Sequence, residues 1–357
     1  MAVSKKQPAR QPVKRCLSPM QYMWDLYDAT TPELAFGARN EDEWKAWRRK
    51  LKRKFMDLLG GLDEPPCDLE PKVSKRKKLD GYTREHVVFQ SRPNLTVAAW
   101  VLTPEKTDGP VPGMICLQGH GPGKDDIVGL QEDGSQREEV AGYQMDFAIQ
   151  AVRRGYFVIA PDMFSFGERR DKEDVEKGRG NSTCRKPSMA GVLLGRTVPG
   201  VRVYDVMRCI DYLETRPECD RKRIGCMGIS GGGTITTFAA AIDERIAAAF
   251  ISGYLSYWRD SIMPILHCED NYVPGILQYA EMPDIATLIA PRPVFFESGT
   301  QDTIFPVKSA KRAFRQITAA YDVLGYAHRC GMQVFEGEHQ FCGEKGFVFL
   351  ERWLKNS

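Results

Sequence analysis

Residues 225–233 read Gly-Cys-Met-Gly-Ile-Ser-Gly-Gly-Gly, which places one serine among five glycines. An apolar run typical of a buried strand precedes this stretch, and an apolar run typical of a helix follows it. Gly228 to Gly232 fits the pattern G-x-S-x-G, in which a sharp turn from strand to helix exposes a reactive serine. The alternative is a glycine-rich phosphate-binding turn, but no lysine follows the stretch and no G-x-G-x-x-G pattern is present. We therefore predict that Ser230 is a nucleophile at a helix N-terminus.

The chain around this stretch alternates short apolar runs with amphipathic segments from residue 111 onward. This rhythm predicts an α/β fold with a mostly parallel sheet covered by helices on both faces. Strands are predicted at 111–118, 156–160, 224–229, 247–252, 294–298 and 332–336, and helices at 143–154, 201–215, 232–242, 307–322 and 343–354. Two long interruptions, 163–199 and 253–290, each follow a strand. Because ligands bind at the carboxyl ends of parallel strands, we expect both insertions near the active site.

The N-terminal part of the chain lacks this alternation of strands and helices. We interpret residues 1–79 as an extension and residues 80–357 as the catalytic domain. Residues 1–15 are polar and are predicted to be disordered. Residues 40–59 predict an amphipathic helix, with Asn40 as N-cap and Glu43 completing a capping box. The basic run 74–78 predicts a solvated loop, and residues 82–90 and 94–103 predict paired strands.

A serine nucleophile needs a base, and the chain has five histidines. In the strand-serine-helix architecture the chain order is serine, acid, histidine, with the histidine after the last strand. His339 fits this position best, and His328 is the alternative. The acid should follow the penultimate strand, where Asp302 lies in a turn; Glu297, inside the strand, competes with it.

Two backbone N–H groups are expected to bind the oxyanion. One belongs to Gly231, directly after the serine, and the other to the loop after the strand at 111–118. In that loop we assign the donor to His120, with Gly121 as the alternative.

Further residues are weaker candidates. Arg169 and Arg170 could bind a substrate carboxylate, although a surface or ion-pair role is more common. His267-Cys-Glu-Asp270 holds four potential ligands, but metal ligands are rarely consecutive, so no metal site is predicted. The candidates for the substrate pocket are Gly121, Tyr254, Trp258, Asn271 and Tyr272.

Composition narrows the class of protein. The chain has 357 residues with 42% hydrophobic and 27% charged residues, and a net charge of +3 does not favour nucleic acid or an anionic membrane as partner. No run of about 20 apolar residues and no apolar segment behind the basic N-terminus is present, so neither a membrane span nor a secretory signal is predicted. Ten cysteines without CxxC spacing predict free thiols and a cytoplasmic location. The sequence leaves open whether the chain is a monomer or a homo-oligomer.

Several segments carry a family resemblance. LQGHGPGKDD (117–126), RIGCMGISGGG (223–233), GTQDTIFP (299–306) and GEHQF (337–341) resemble the α/β-hydrolase superfamily, in particular its dienelactone hydrolase-like and acetyl xylan esterase-like members. The resemblance covers roughly residues 80–357 and implies an eight-stranded sheet, a Ser-His-Asp triad, and hydrolysis of small-acyl carboxylic esters without a cofactor. Gln118 departs from the His-Gly pair of many such enzymes, and Ser230 departs from the cysteine of dienelactone hydrolase itself.

Two rival functions remain at this point. One is a peptidase of the prolyl oligopeptidase type, although about 80 residues are too few for the propeller of such enzymes. The other is a non-catalytic protein that binds a small molecule on a hydrolase scaffold.

Overall fold

One nine-stranded sheet organises the molecule. The computed structural model describes residues 15–105 and 107–356, so the predicted disorder of residues 1–14 lies outside the described residues. The strands are β1 (Lys72–Leu79), β2 (Tyr82–Arg92), β3 (Leu95–Pro104), β4 (Val111–Leu117), β5 (Phe157–Pro161), β6 (Cys219–Ile229), β7 (Ile246–Ser252), β8 (Val294–Gly299) and β9 (Cys330–Phe335). Their order is β1-β2-β3-β5-β4-β6-β7-β8-β9, antiparallel from β1 to β5 and parallel from β5 to β9. The predicted α/β fold is confirmed, but the sheet has nine strands and not eight.

Helices cover both faces of this sheet. They are α1 (Pro19–Ala29), α2 (Glu41–Leu59), α3 (Lys124–Ile127), α4 (Phe147–Arg153), α5 (Lys172–Val175), α6 (Arg185–Leu193), α7 (Val198–Thr215), α8 (Gly231–Ile242), α9 (Met282–Thr287), α10 (Val307–Val323) and α11 (Glu344–Leu354). Successive side chains of β4 point to opposite faces of the sheet and so enter different core layers. Ile115 and Leu117 enter the core beneath α2, α7, α8 and α10, whereas Met114 and Cys116 enter the core beneath α4 and α11.

The strand β1 corrects the expectation of a basic loop at residues 74–78. It pairs antiparallel with β2 from Lys72 to Leu79, and almost all of its side chains are exposed. An edge strand in contact with solvent needs no alternation of apolar and polar residues. The run of basic residues therefore gave no sign of a strand. Lysine-rich edges also discourage the edge-to-edge pairing that leads to aggregation. The basic run therefore has a structural explanation at the rim of the sheet.

The predicted N-terminal helix is confirmed as α2. The Asn40 side chain accepts a hydrogen bond from the Glu43 N–H at 2.9 Å, as an N-cap does. The Glu43 carboxylate in turn accepts from the N–H of Arg39, one residue before the position that a standard capping box uses. Trp44, Leu51, Phe55 and Leu59 are buried in the core layer shared with α7 and α8. Helix α2 therefore packs as part of the main core, while the boundary between residues 79 and 80 stays a prediction.

The structure also contains helix α1, which the sequence analysis did not predict. It has no buried residue, and Leu17, Met20, Tyr22, Met23 and Leu26 around it are exposed. Within the described ranges no helix has both the length and the apolar character needed to cross a bilayer.

The packing of α2 predicts a large cost for truncating its apolar face. Phe55 has 0% exposure and contacts Phe238 of α8 edge-on, with ring centroids 4.9 Å apart. We expect Phe55→Ala to lower the free energy of unfolding by about 3–5 kcal/mol, measured by urea denaturation. Arg53→Ala, on the exposed face of the same helix, is the control and should change it by less than about 0.5 kcal/mol. Equal, small effects of both variants would contradict the view that α2 belongs to the main core.

Candidate active site

The predicted turn at Ser230 has the backbone geometry of a strained elbow. Ser230 lies between the end of β6 and the start of α8, with φ 57° and ψ −122°. A positive φ is rare for a residue with a Cβ and persists only where the surroundings enforce it. The backbone N–H of Ser230 donates to the carbonyl oxygen of Ser252 in β7 at 3.0 Å, which fixes the turn to the neighbouring strand. The serine is therefore presented at the carboxyl end of the parallel strands.

The glycines around the serine are required by close backbone approach. A Cβ on Gly228 would lie 2.5 Å from the backbone carbon of Gly232, on the crossing segment of the turn. A Cβ on Gly232 would lie 1.9 Å from the carbonyl oxygen of Leu117 at the end of β4. Gly231 differs, because its Cβ would meet Asp270 and His120 at 3.6 Å, an ordinary van der Waals distance.

The structure brings His339 and Asp302 together. His339 Nδ1 lies 2.8 Å from Asp302 Oδ2. The other carboxylate oxygen, Asp302 Oδ1, accepts the backbone N–H groups of Ile304 and Phe305 at 2.9 and 2.8 Å. The turn and the pairing with histidine thus use different oxygens of one carboxylate. The hydrogen bonds to Oδ1 hold the Asp302 side chain in place independently of His339.

The imidazole of His339 is held between two aromatic rings. Tyr143 and Phe305 stack on it, each with a centroid distance of 5.7 Å. Its Nε2 atom is buried and has no hydrogen-bond partner within the described chain. His339 and Ser230 line the same cleft.

The two alternatives of the sequence analysis are placed elsewhere. Glu297 is fully buried, and its carboxylate accepts the backbone N–H groups of Cys342 and Gly343 at 3.0 and 2.9 Å. It thereby ties β8 to the segment after His339. His328 is exposed and packs against Tyr326 and Trp353. Neither residue contacts the histidine-carboxylate pair.

The two residues that carry the candidate oxyanion donors are neighbours in space. Gly231 begins α8, and His120 lies in the loop after β4, with its ring next to the Gly231 Cα. Tyr143 Oη donates to the carbonyl oxygen of His120 at 2.7 Å, and the Gly119 N–H donates to Gln144 at 2.6 Å. Among the described residues, no acceptor receives the backbone N–H of Gly231 or of His120. Both N–H groups therefore stay candidate donors for an oxyanion.

A cleft of about 330 Å³ opens above Ser230. Its walls are His120, Tyr143, Ser230, Ile265, Leu266, His267, Cys268, Ile304 and His339. Four of these residues, 265–268, come from the 253–290 insertion. The sequence analysis did not single out the apolar residues or Tyr143 as pocket residues. Only their positions in the sequence could have pointed to them: residues 265–268 lie in a long insertion after a strand, and Ile304 lies two residues after Asp302.

The predicted pocket residues do not line this cleft. Tyr254 and Trp258 are buried in the core, and Asn271 is buried behind His267. Tyr272 is 43% exposed and lines a groove with α1. Gly121 follows His120 but is not part of the wall. The expectation failed because aromatic residues in an insertion can equally well anchor it to the core.

The two arginines proposed for carboxylate binding are engaged internally. Arg169 pairs with Asp205 at 2.7 Å, and Arg170 donates to the carbonyl oxygens of Gly167 and Gly178. The more common role, that of an internal ion pair or loop tether, therefore applies to both.

One group of residues in the described chain could offer ligands to a metal ion. Atoms of His120, Cys268 and Asp270 lie within 4.8 Å of one another. However, the buried guanidinium of Arg202 already pairs with Asp270 Oδ2. Burial alone would raise the pKa of Asp270, but the charge of Arg202 outweighs it and lowers the pKa to about 2. A fixed positive charge on this carboxylate opposes a second cation there.

The elbow geometry predicts opposite outcomes for two adjacent substitutions. Gly232→Ala places a Cβ 1.9 Å from a backbone oxygen, so we expect loss of folded protein or a destabilisation above about 3 kcal/mol. Gly231→Ala meets no such obstacle and should fold with a free energy of unfolding within about 1 kcal/mol of wild type. Circular dichroism and urea denaturation measure both; equal tolerance would contradict the described elbow.

The buried Glu297 predicts a pH-dependent stability. Burial raises its pKa from 4.5 to about 7, so its stabilising contribution is complete below pH 4.5 and is lost as the pH rises through 7. We expect this carboxyl to lower the free energy of unfolding by up to about 3 kcal/mol between pH 4.5 and about pH 8. In Glu297→Gln the free energy of unfolding should change much less between these two pH values, as measured by urea denaturation at each. Glu338→Gln, an exposed neighbour of His339, should retain it; an unchanged slope in Glu297→Gln would refute the assignment.

Comparison with known proteins agrees with this fold. The chain is 26% identical over 322 residues to a Bacillus subtilis (strain 168) protein named putative hydrolase YtaP, covering 86% of this chain and 100% of that protein. A solved structure of a putative acetyl xylan esterase from Bacteroides fragilis NCTC 9343 superimposes with a TM-score of 0.76 at 22% identity, over 90% of this chain and 83% of the other. A glucuronoyl esterase from Solibacter usitatus superimposes with a TM-score of 0.66 at 14% identity, over 90% and 96%.

The family assignment rests on a match that spans most of the sequence. Residues 9–340 match the abhydrolase family, and so include the elbow, Asp302 and His339. The resemblance to the α/β-hydrolases is thereby confirmed, and the chain belongs to the abhydrolase family.

Proposed function

We propose that this protein hydrolyses carboxylic esters through an acyl-enzyme, with Ser230 as nucleophile, His339 as general base and Asp302 as its partner. One observation carries the proposal. His339 pairs through Nδ1 with Asp302 at 2.8 Å, its Nε2 has no hydrogen-bond partner among the described residues, and His339 and Ser230 line the same cleft. A histidine that is oriented by a carboxylate, with a serine in the same cleft, supplies the groups that serine hydrolysis requires.

The first half of the reaction forms the acyl-enzyme. Because the Asp302 carboxylate can only accept, His339 donates its Nδ1–H and keeps a lone pair on Nε2. Ser230 Oγ attacks the ester carbonyl carbon while Nε2 takes the hydroxyl proton, and Asp302 stabilises the resulting imidazolium. The tetrahedral intermediate then expels the alcohol, which receives the proton from Nε2. The products of this half are the Ser230 acyl ester and the free alcohol.

Water completes the cycle. It attacks the acyl carbon and gives its proton to His339 Nε2, and collapse of the second intermediate returns that proton to Ser230 Oγ. The carboxylic acid leaves, and the enzyme is restored without a cofactor.

The negative charge on the carbonyl oxygen needs donors throughout. The free N–H groups of Gly231 and His120 serve this purpose in the proposal, with Gly121 as the alternative to His120. The position of Gly231 at the N-terminus of the 12-residue helix α8 adds a favourable dipole. One such donor is worth about 3 kcal/mol in related chemistry.

The size of the cleft agrees with a small ester substrate. Its volume of about 330 Å³ above Ser230, with Ile265, Leu266 and Ile304 in its walls, is at the lower end of the range for small-molecule pockets. Two of the similar proteins described above, the putative acetyl xylan esterase and the glucuronoyl esterase, carry names that denote esters of carbohydrates, which agrees with a sugar as the alcohol. The proposed substrate is therefore a small-acyl ester of a polar alcohol.

A reducing compartment is part of the proposal. All ten cysteines are free, and Cys116, Cys209 and Cys226 are buried in the core as thiols. Such usage is typical of cytoplasmic proteins.

Hydrolysis of p-nitrophenyl esters from acetyl to octanoyl tests the function. We expect wild-type activity to be highest with acetyl and to fall with chain length. Ser230→Ala should lower kcat/KM at least about 10³-fold, and His339→Ala similarly, because the triad acts as a unit. His120→Ala should stay within about threefold, since only its backbone is used. His328→Ala is the matched histidine control.

Two outcomes would contradict the proposal. Equal activity of wild type and Ser230→Ala would exclude the serine as nucleophile. Saturable binding of an ester by folded wild type without turnover would instead favour the non-catalytic alternative.

A further inference from the structure

A buried chain of polar groups stands behind the cleft wall at His267. The guanidinium of Arg202 pairs with Asp270 Oδ2, and Asp270 Oδ1 lies 2.8 Å from Asn271 Nδ2. The same Asn271 nitrogen lies 3.0 Å from His267 Nδ1. Arg202, Asp270 and Asn271 are each 1% exposed, so solvent does not compete for these bonds.

The direction of each hydrogen bond follows from the chemistry of the groups. An ionised carboxylate can only accept, so the Asn271 atom beside Asp270 is the amide nitrogen and donates one of its two hydrogens there. The second hydrogen is directed to His267 Nδ1, which must accept it. The Asn271 carbonyl oxygen lies 2.8 Å from the Thr234 hydroxyl, which agrees with this orientation. The His267 ring is therefore neutral, with no hydrogen on Nδ1 and its one N–H at Nε2.

The surroundings keep His267 in this form. Burial lowers its pKa to about 4; Asp270 raises it and the charges of His120 and His339 lower it further. The backbone of Cys268 has a minor raising effect. At neutral pH the ring thus presents one N–H and no charge.

The remaining ring nitrogen, Nε2, belongs to a side chain that lines the cleft. Among the described residues, no side chain hydrogen-bonds to it. His267 and His339 contact the same ring, Phe305, at centroid distances of 5.9 and 5.7 Å. In the proposed mechanism His339 hands its proton to the leaving alcohol, so the alcohol portion lies at this end of the cleft.

We propose that His267 Nε2–H is a fixed hydrogen-bond donor that recognises an oxygen acceptor, a hydroxyl or ring oxygen, on the alcohol portion of the ester. The site then selects esters of polyhydroxylated alcohols such as sugars over aryl esters, which lack such an oxygen. Arg202, Asp270 and Asn271 are positioning residues, because they set the tautomer without touching the substrate. The inference rests on the proposed function of Ser230.

Two acetyl esters separate this role from packing. With a mono-acetylated methyl xyloside, we expect His267→Leu to lower kcat/KM about tenfold, mainly through KM, since one neutral hydrogen bond is lost. With phenyl acetate the same variant should stay within about twofold of wild type. His267→Gln, which keeps an N–H donor, should recover part of the loss on the xyloside. His328→Leu is the control and should change neither substrate.

The tautomer has its own readout. A long-range ¹H–¹⁵N correlation spectrum should show His267 neutral with the proton on Nε2 at about pH 6, whereas Asn271→Leu should release this preference. A proton on Nδ1, or a cationic ring, in the wild type would overturn the inference.

The kinetic outcomes separate the two proposals. Equal losses on both esters in His267→Leu would assign the residue to packing, and no loss on either would remove it from recognition; each overturns the inference and leaves the esterase proposal standing. Wild type that hydrolyses neither ester would overturn both.

Discussion

The contact between the Gly232 backbone and the carbonyl oxygen of Leu117 is the constraint on which the site depends. A Cβ would intrude to 1.9 Å there, so β4, β6 and α8 can meet only at a glycine. This close meeting turns the chain within one residue and leaves Ser230 at φ 57°. It also places the loop that carries His120 directly beside the start of α8. The proposed nucleophile and the candidate oxyanion donors are thus positioned by a single backbone crossing.

The histidine side of the site depends on a second arrangement, in which loops from adjacent strands are locked separately. Asp302 is fixed by the turn N–H groups after β8, and His339 is held between Tyr143 and Phe305. Glu297 binds the segment after His339 to β8. Each partner is therefore oriented by its own neighbours, which limits the motion needed before the proton transfer that we propose.

The sequence predicted the parts of the molecule that local pattern controls. Buried parallel strands read as apolar runs, and the chain order of Ser230, Asp302 and His339 follows from the order of the strands. The edge strand β1 was missed because a solvated strand has no apolar face to reveal it. The pocket walls were missed for another reason: the insertion 253–290 is anchored by contacts with distant segments, such as the ion pair between Asp270 and Arg202 of α7. Contacts between distant segments of this kind leave no periodic signal in either segment.

The positive φ of Ser230 bears on how this protein can change over time. A serine there costs about 1–3 kcal/mol in backbone strain, which a glycine would largely avoid. If the proposed activity were no longer under selection, replacement of Ser230 by glycine would therefore relieve this strain. Such a descendant would keep the fold, the cleft and the histidine-carboxylate pair but would lack the proposed nucleophile.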